Sequence, residues 1–171
     1  MGASRIPYAT ATWNPIEGCA PAGPGCRHCW ARTLVRRFAA NPAFSYERTP
    51  FGTLNHYADI SGWDGALVEF PDRWNEPART RRPQRYLVGS RSDVALWPTE
   101  SVRRAADMYR QRPDHRYLWL TKRPEVLHEK LCHAGVAYPP VWIGVSVWDQ
   151  ESADAMIPAL LAIPAAHHWV S

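Results

Sequence analysis

The chain lacks the long apolar run of a membrane helix: no segment of its 171 residues approaches roughly 18 consecutive apolar side chains. Its first residues, MGASRIPYATATW, hold no apolar stretch of the signal-peptide kind, and Ile6 stands where a myristoylation signal requires Ser or Thr. A cytoplasmic protein without membrane contact is therefore expected. Cysteine is scarce, at four residues. In a reducing compartment, few and closely spaced thiols argue for metal or redox chemistry rather than a disulfide scaffold. Excess charge is small too, with 20 Lys plus Arg against 16 Asp plus Glu, a formal +4. The concentrated positive stretch is Arg79, Arg81, Arg82, Arg85 and Arg91. It suits phosphate contact, and equally a solvated linker that keeps the protein in solution.

What is present is a core. With 46% hydrophobic residues and nine tryptophans, residues 1–171 are expected to fold as a single domain. It has three parts: a cysteine loop and first helix over 1–40, an irregular insertion and connector over 41–85, and repeating β/α units over 86–171. The repeating part alternates apolar runs with helical stretches. The runs YLVGS (86–90), YLWLT (117–121), VWIGVS (141–146) and HHWVS (167–171) are short and nearly continuously apolar, as parallel strands covered on both faces are. Between them, PTESVRRAADMYRQR predicts a helix capped by Thr99, RPEVLHEKLCHAG one that starts near Pro124 and stops at Gly135, and ESADAMIPALLAIP one interrupted by Pro158. In the first half, CWARTLVRRFAA predicts a helix with Leu34, Val35 and Phe38 inward. Asn41 to Gly65 reads as an ordered loop, ALVEF (66–70) as a short strand, and Asp72 to Pro83 as a connector.

Strand, helix and strand in alternation imply an α/β fold with right-handed crossovers. A complete eightfold barrel needs about 250 residues. With about five or six strand candidates, the expected architecture is a partial (β/α) barrel or an open parallel sheet, shortened at its C-terminal end. The last strand would form an edge, which a protein partner or a second copy of the chain is expected to cover.

Three of the four cysteines fall in one stretch, TWNPIEGCAPAGPGCRHCWAR. Cys19, Cys26 and Cys29 make a C-x6-C-x2-C pattern among Gly18, Pro21, Gly23, Pro24 and Gly25, a backbone able to aim several thiolates at one centre. Thiolates select zinc or iron–sulfur clusters. Structural zinc and electron-transfer clusters normally have four protein ligands, so three leave a position for a small molecule, or for water on zinc. His28 is a possible fourth donor, though its place between two cysteines points it away. Cys132, beside Leu131 in a helix, reads as a small buried apolar residue.

The run TWNPIEGC…GCRHCWA, then YLVGSRSDV, LTKRPEVL, VWIGVSV and LLAIPAAHHWVS, resembles the phage-associated three-cysteine family of the phage protein gp thirty-seven and gp sixty-eight type, a domain without assigned function. That family is in turn similar to radical S-adenosylmethionine (SAM) enzymes, which hold a [4Fe-4S] cluster on three cysteines at the mouth of a partial barrel, where an open iron binds SAM. The resemblance implies Cys19, Cys26 and Cys29 as cluster ligands. The chain departs from those enzymes in its six-residue first gap, where C-x3-C-x2-C is usual. It also lacks their glycine-rich SAM-binding strand, GALVEF being a distant counterpart. Relatives continue past HHWVS into further segments, so the chain reads as a shortened form, expected either to keep its cluster yet lack activity alone or to need a second polypeptide.

In parallel α/β folds, ligands bind beyond the carboxyl ends of the strands. Those ends carry Ser90, Arg91, Ser92 and Asp93, then Thr121, Lys122 and Arg123, then Ser146, Trp148 and Asp149. Lys122, Arg123 and Asp93 are the candidate catalytic residues, and Ser90, Ser92, Ser146 and Trp148 the candidate cofactor-binding residues. Plainer roles compete: Asp93 as a loop cap, Lys122 and Arg123 as exposed charges, Trp148 as filling of the core rim. Asn14 is expected to shape the cysteine loop. The leading expectation is an iron–sulfur, radical SAM-like protein that modifies nucleic acid or a nucleotide. The alternative is a zinc-stabilised nucleic-acid-binding protein without catalysis.

Overall fold

The computed structural model describes residues 6–44, 47–49, 52–54, 56–136 and 141–171. In chain order these form β1 (Ala11–Trp13), β2 (Ile16–Glu17), α1 (Trp30–Ala39), β3 (Glu47–Thr49), β4 (Gly52–Leu54), α2 (His56–Asp59), β5 (Val68–Glu69) and α3 (Glu76–Arg79). There follow β6 (Arg85–Val88), α4 (Thr99–Gln111), β7 (Arg116–Thr121), α5 (Pro124–Ala134), β8 (Trp142–Val145), α6 (Gln150–Leu161) and β9 (His167–Val170). Five strands make one sheet in the order β1-β6-β7-β8-β9, every neighbouring pair parallel. The α/β expectation holds, and the simple sequential order is that of a partial barrel or an open sheet. No helix among the described residues is long and apolar enough to cross a membrane.

The two sheet faces differ. Tyr86, Val88, Tyr117, Trp119, Ile143 and Val145 point to one face and are buried there against α4, α5 and α6 through Val102, Ala105, Tyr109, Leu127, Leu131 and Leu160. Each large side chain fully withdrawn from water contributes about 1.5–3 kcal/mol. Polar atoms in this core are paired: the Trp119 indole N–H donates to the Tyr109 hydroxyl at 2.5 Å, and burial holds that phenol well above its ordinary value. The opposite face carries Leu87 and Leu118, buried with Ala9, beside the half-buried Leu120, Trp142 and Trp169. There Trp169 lies over Gly144, where a Cβ would stand 2.5 Å from its ring.

A second small core forms from α1, α2 and the following loop, where Ala31, Val35, Tyr57, Ile60, Trp63 and Phe70 are buried together. Cys19 and Cys29 pack against it. Val35 is buried as the helical spacing predicts, while Leu34 and Phe38 are half-buried.

Several expectations are corrected. The short strand in ALVEF is Val68–Glu69, and it pairs antiparallel with β2 outside the main sheet. The strand β1 has no counterpart among the predicted runs. α4 starts at Thr99 with Pro98 as its cap, and Thr99 makes no side-chain cap. α6 starts at an Asp149–Ser152 capping box and runs through Pro158, whose ring is exposed, rather than being interrupted there. Gly135 ends α5 in the left-handed region at φ 65°, as expected. Cys132 is exposed, one position off the stripe of Leu127, Leu131 and Ala134 that α5 buries. The stretch from Asn41 to Gly65 is more regular than a loop, holding β3, β4 and α2, although residues 45–46, 50–51 and 55 lie outside the described set.

Candidate functional site

The cysteine loop begins where β1 ends. Past Trp13 the chain turns through Asn14 and Pro15, pairs briefly as β2, and bridges the loop after β6 through Gly18 and Ser92. Gly18 adopts φ 104°, a conformation that side-chain-bearing residues avoid, and a Cβ there would overlap the Ala66 carbonyl oxygen. Cys19 follows. A turn of 3-10 helix over Pro24–Cys26 then carries the chain to Cys29, which caps α1. The loop thus emerges beyond the carboxyl end of the sheet, the end at which α/β proteins bind ligands.

Three sets of contacts fix it. The Asn14 side-chain oxygen accepts from the Ser90 hydroxyl at 3.0 Å and from the Arg91 amide at 3.1 Å, and the Gly18 amide donates to the Arg91 carbonyl at 3.0 Å. This is the loop-shaping role expected of Asn14. Next, Glu17 is wholly buried, and one of its carboxylate oxygens accepts from both Arg73 and Arg91, the latter at 2.6 Å. Burial raises the Glu17 carboxyl above its ordinary value, while Arg91 and Arg73 pull it back. Its second oxygen has no partner among the described residues. Finally, Arg123 donates to the Ala20 carbonyl at 2.6 Å and to Asp93 at 3.2 Å.

Asp93 is the hub of the strand ends. It is buried, and one carboxylate oxygen accepts from the Ala95 amide at 3.1 Å and the Thr121 hydroxyl at 2.8 Å. The other accepts from the Lys122 amide at 3.1 Å and the Arg123 guanidinium. Asp93 and Arg123 are thereby committed to positioning one another and the cysteine loop. The Lys122 ammonium has no side-chain partner among the described residues.

A cavity of about 360 Å³ opens between these elements. Cys19, Cys26 and Cys29 all line it, as do the polar groups Lys122, Ser90 and Ser146. The volume suits a small molecule. His28, expected to point away, is on the same wall. Of the other expected site residues, Ser92, Asp93 and Arg123 also reach the cavity. The Ser92 hydroxyl accepts from the Trp97 indole at 2.9 Å. Trp148 is not on the cavity wall; its ring rests on the cysteine loop, where a Cβ at Gly25 would come within 2.5 Å of it.

The Cys19 thiol donates to the Ala20 carbonyl at 3.4 Å, and the Cys26 sulfur accepts from the Ala22 amide at 3.4 Å. Burial pushes the Cys19 thiol up to about 11, with the nearby Asp93 adding to the rise and Arg123 opposing it. Among the described residues, no three His, Cys, Asp or Glu side chains stand close enough to hold one metal ion. The three sulfurs share a cavity without meeting at a point.

The residues that sequence reasoning missed are Glu17, Arg73 and Tyr57, a buried polar cluster under the cysteine loop. A lone acid in IEGC and an arginine some fifty residues later form no local pattern. Arg91, grouped in the sequence with the basic stretch, belongs to this cluster instead.

Comparison with curated proteins and with solved structures gives no match. The family described as a protein of unknown function, DUF5131, matches residues 3–171. A match over nearly the whole chain makes this protein a member of the DUF5131 family.

Proposed function

We propose that Cys19, Cys26 and Cys29 hold a [4Fe-4S] cluster and that the chain is a radical SAM-like protein acting on a nucleic acid or nucleotide. The observation that carries this reading is that all three thiols of one glycine- and proline-rich loop line a single cavity at the carboxyl end of a parallel sheet. The donor chemistry fits: thiolates are the ligands of such clusters, and three of them leave one iron without a protein ligand.

When bound, the cluster would supply an electron for reductive cleavage of SAM. The chain's own residues have simpler tasks. Arg123 and Asp93 fix the loop that carries Cys19. Lys122 offers an uncommitted cation to a carboxylate or phosphate, and Ser90 and Ser146 offer hydroxyls on the same wall. Leu87 and Leu120 give that wall an apolar portion that excludes water.

Anaerobic purification with iron, sulfide and zinc measured together tests the proposal. About four irons and four sulfides per chain are expected, and Cys19→Ser, Cys26→Ser or Cys29→Ser should each lose most of the iron. On the reduced, loaded protein, added SAM should change the electron paramagnetic resonance of the cluster. One zinc per chain without iron would overturn the reading in favour of the zinc-stabilised binder.

A further inference from the structure

The arginines fall into paired and unpaired groups; Arg27 and Arg37, on the cysteine loop and α1, are exposed without an ion pair among the described residues. Arg103, Arg104, Arg110 and Arg112 each pair with an acid, and Arg73, Arg91 and Arg123 are held by Glu17 and Asp93. Arg79, Arg81, Arg82, Arg85 and Arg116 are exposed, and their guanidiniums have neither ion pair nor hydrogen bond among the described residues.

The fold gathers these five at one place. Arg85 and Arg116 open β6 and β7 and stand opposite one another in register. Adjacent parallel strands lie about 4.8 Å apart, and in-register residues project from the same face, so the two like charges repel. Arg79, Arg81 and Arg82 lie on the end of α3 and the connector to β6. That segment is stitched to the start of β7: the Gln84 amide donates to His115 Nδ1 at 3.2 Å, and Arg112 donates to the Pro77 and Ala78 carbonyls at 2.8 and 3.1 Å.

Beside Arg116 opens a second cavity, of about 340 Å³, whose wall includes Tyr117, Trp142 and His167. The Trp142 and His167 rings meet edge to face with centroids 4.6 Å apart. Trp142 is in register with Leu118 and so projects from the same face as Arg116. Unbalanced cations next to a half-exposed aromatic wall match a ligand with regularly spaced negative charges and flat rings. Phosphates would sit on the guanidiniums and a base on the indole.

We propose that this amino-terminal end of the sheet binds single-stranded nucleic acid. The surface lies at the end opposite the cysteine cavity: Arg116 begins β7 and Thr121 ends it, a span of about 16 Å. It therefore tethers a strand instead of presenting it to the thiols, and it does so whatever the cysteines hold.

Fluorescence anisotropy of a labelled 20-nucleotide oligo-dT, on protein with and without iron, reads this directly. Binding is expected at 50 mM salt, with a log–log salt slope of about −3 to −4 if all five arginines engage phosphates. Replacing Arg81, Arg82, Arg85 and Arg116 together by Gln, all exposed, should bring the slope to about −1 and abolish binding at 200 mM salt. Trp142→Ala should weaken oligo-dT about tenfold while leaving competition by polyphosphate unchanged. Absence of binding at 50 mM salt, an unaltered slope in the arginine variant, or tighter binding of duplex than of single strand would each overturn the proposal. Equal affinity of iron-loaded and iron-free protein separates this result from the fate of the cluster reading.

Discussion

Glu17→Ala is expected to cost about 3–5 kcal/mol of folding stability, the range for deleting one member of a buried ion pair. The carboxylate is wholly buried between Arg73 and Arg91, whose side chains are only 13% and 19% exposed. Guanidiniums do not deprotonate, so removing the acid leaves two charges with little water to turn to. Arg73 keeps the Asn14 carbonyl at 3.3 Å and the Tyr57 hydroxyl at 3.3 Å, neutral acceptors that replace only part of the loss. Against a total of roughly 5–15 kcal/mol for a domain, the deficit is large. Urea denaturation of the variant beside wild type measures it. Glu17→Gln, which keeps the shape and drops the charge, should show a comparable deficit. A loss below about 1 kcal/mol in both variants would mean that the cluster does not hold the loop.

Asp93→Ala should cost about as much, roughly 3–5 kcal/mol, by a different route. Its two oxygens satisfy four donors: the Ala95 and Lys122 amides, the Thr121 hydroxyl and the Arg123 guanidinium. Each donor orphaned in the interior costs about 1–3 kcal/mol, reduced where water enters from the cavity. Asp93→Asn is not a rescue, because an amide nitrogen would replace one acceptor and face the donors that remain. Arg123→Lys separates the two jobs of Arg123. A lysine keeps the charge near Asp93 but lacks the planar fork that bridges to the Ala20 carbonyl. That variant should remain folded by circular dichroism while its cysteine loop becomes more susceptible to limited proteolysis.

The second half of the fold was legible in the sequence because strands buried on both faces are written as continuous apolar runs. Each of β6 to β8 lies on such a run; β9, expected to be covered on both faces like them, is instead an edge strand with His167, His168 and Val170 exposed. β1 was not, since ATW is three residues long and becomes a strand by pairing with Tyr86, Leu87 and Val88, a partnership across some seventy-five positions. ALVEF had strand composition, but composition does not choose a partner, and Val68–Glu69 joins β2. Pro158 misled in the other direction. Its ring is on the exposed side of α6, and the capping box at Asp149 starts a helix that one missing N–H does not stop.

At the site, position was legible and partnership was not. Strand-end reasoning brought Ser90, Asp93, Lys122, Arg123 and Ser146 to one cavity with the three cysteines. It could not tell that Asp93 and Arg123 would satisfy each other while Lys122 would not be satisfied, because that depends on side-chain reach between adjacent strand ends. Trp148 was placed near the site by its position after β8, but its ring packs on the loop at Gly23 and Gly25 and does not line the cavity.

That placement of Trp148 constrains descent. The indole fills the volume that any side chain at Gly23 or Gly25 would need, with ring atoms 3.1 Å and 2.5 Å from the two imagined Cβ positions. The indole thus holds Gly25 to glycine and crowds Gly23. In an alignment of homologues, bulk at Gly25 should arise only where the tryptophan has been exchanged for something smaller.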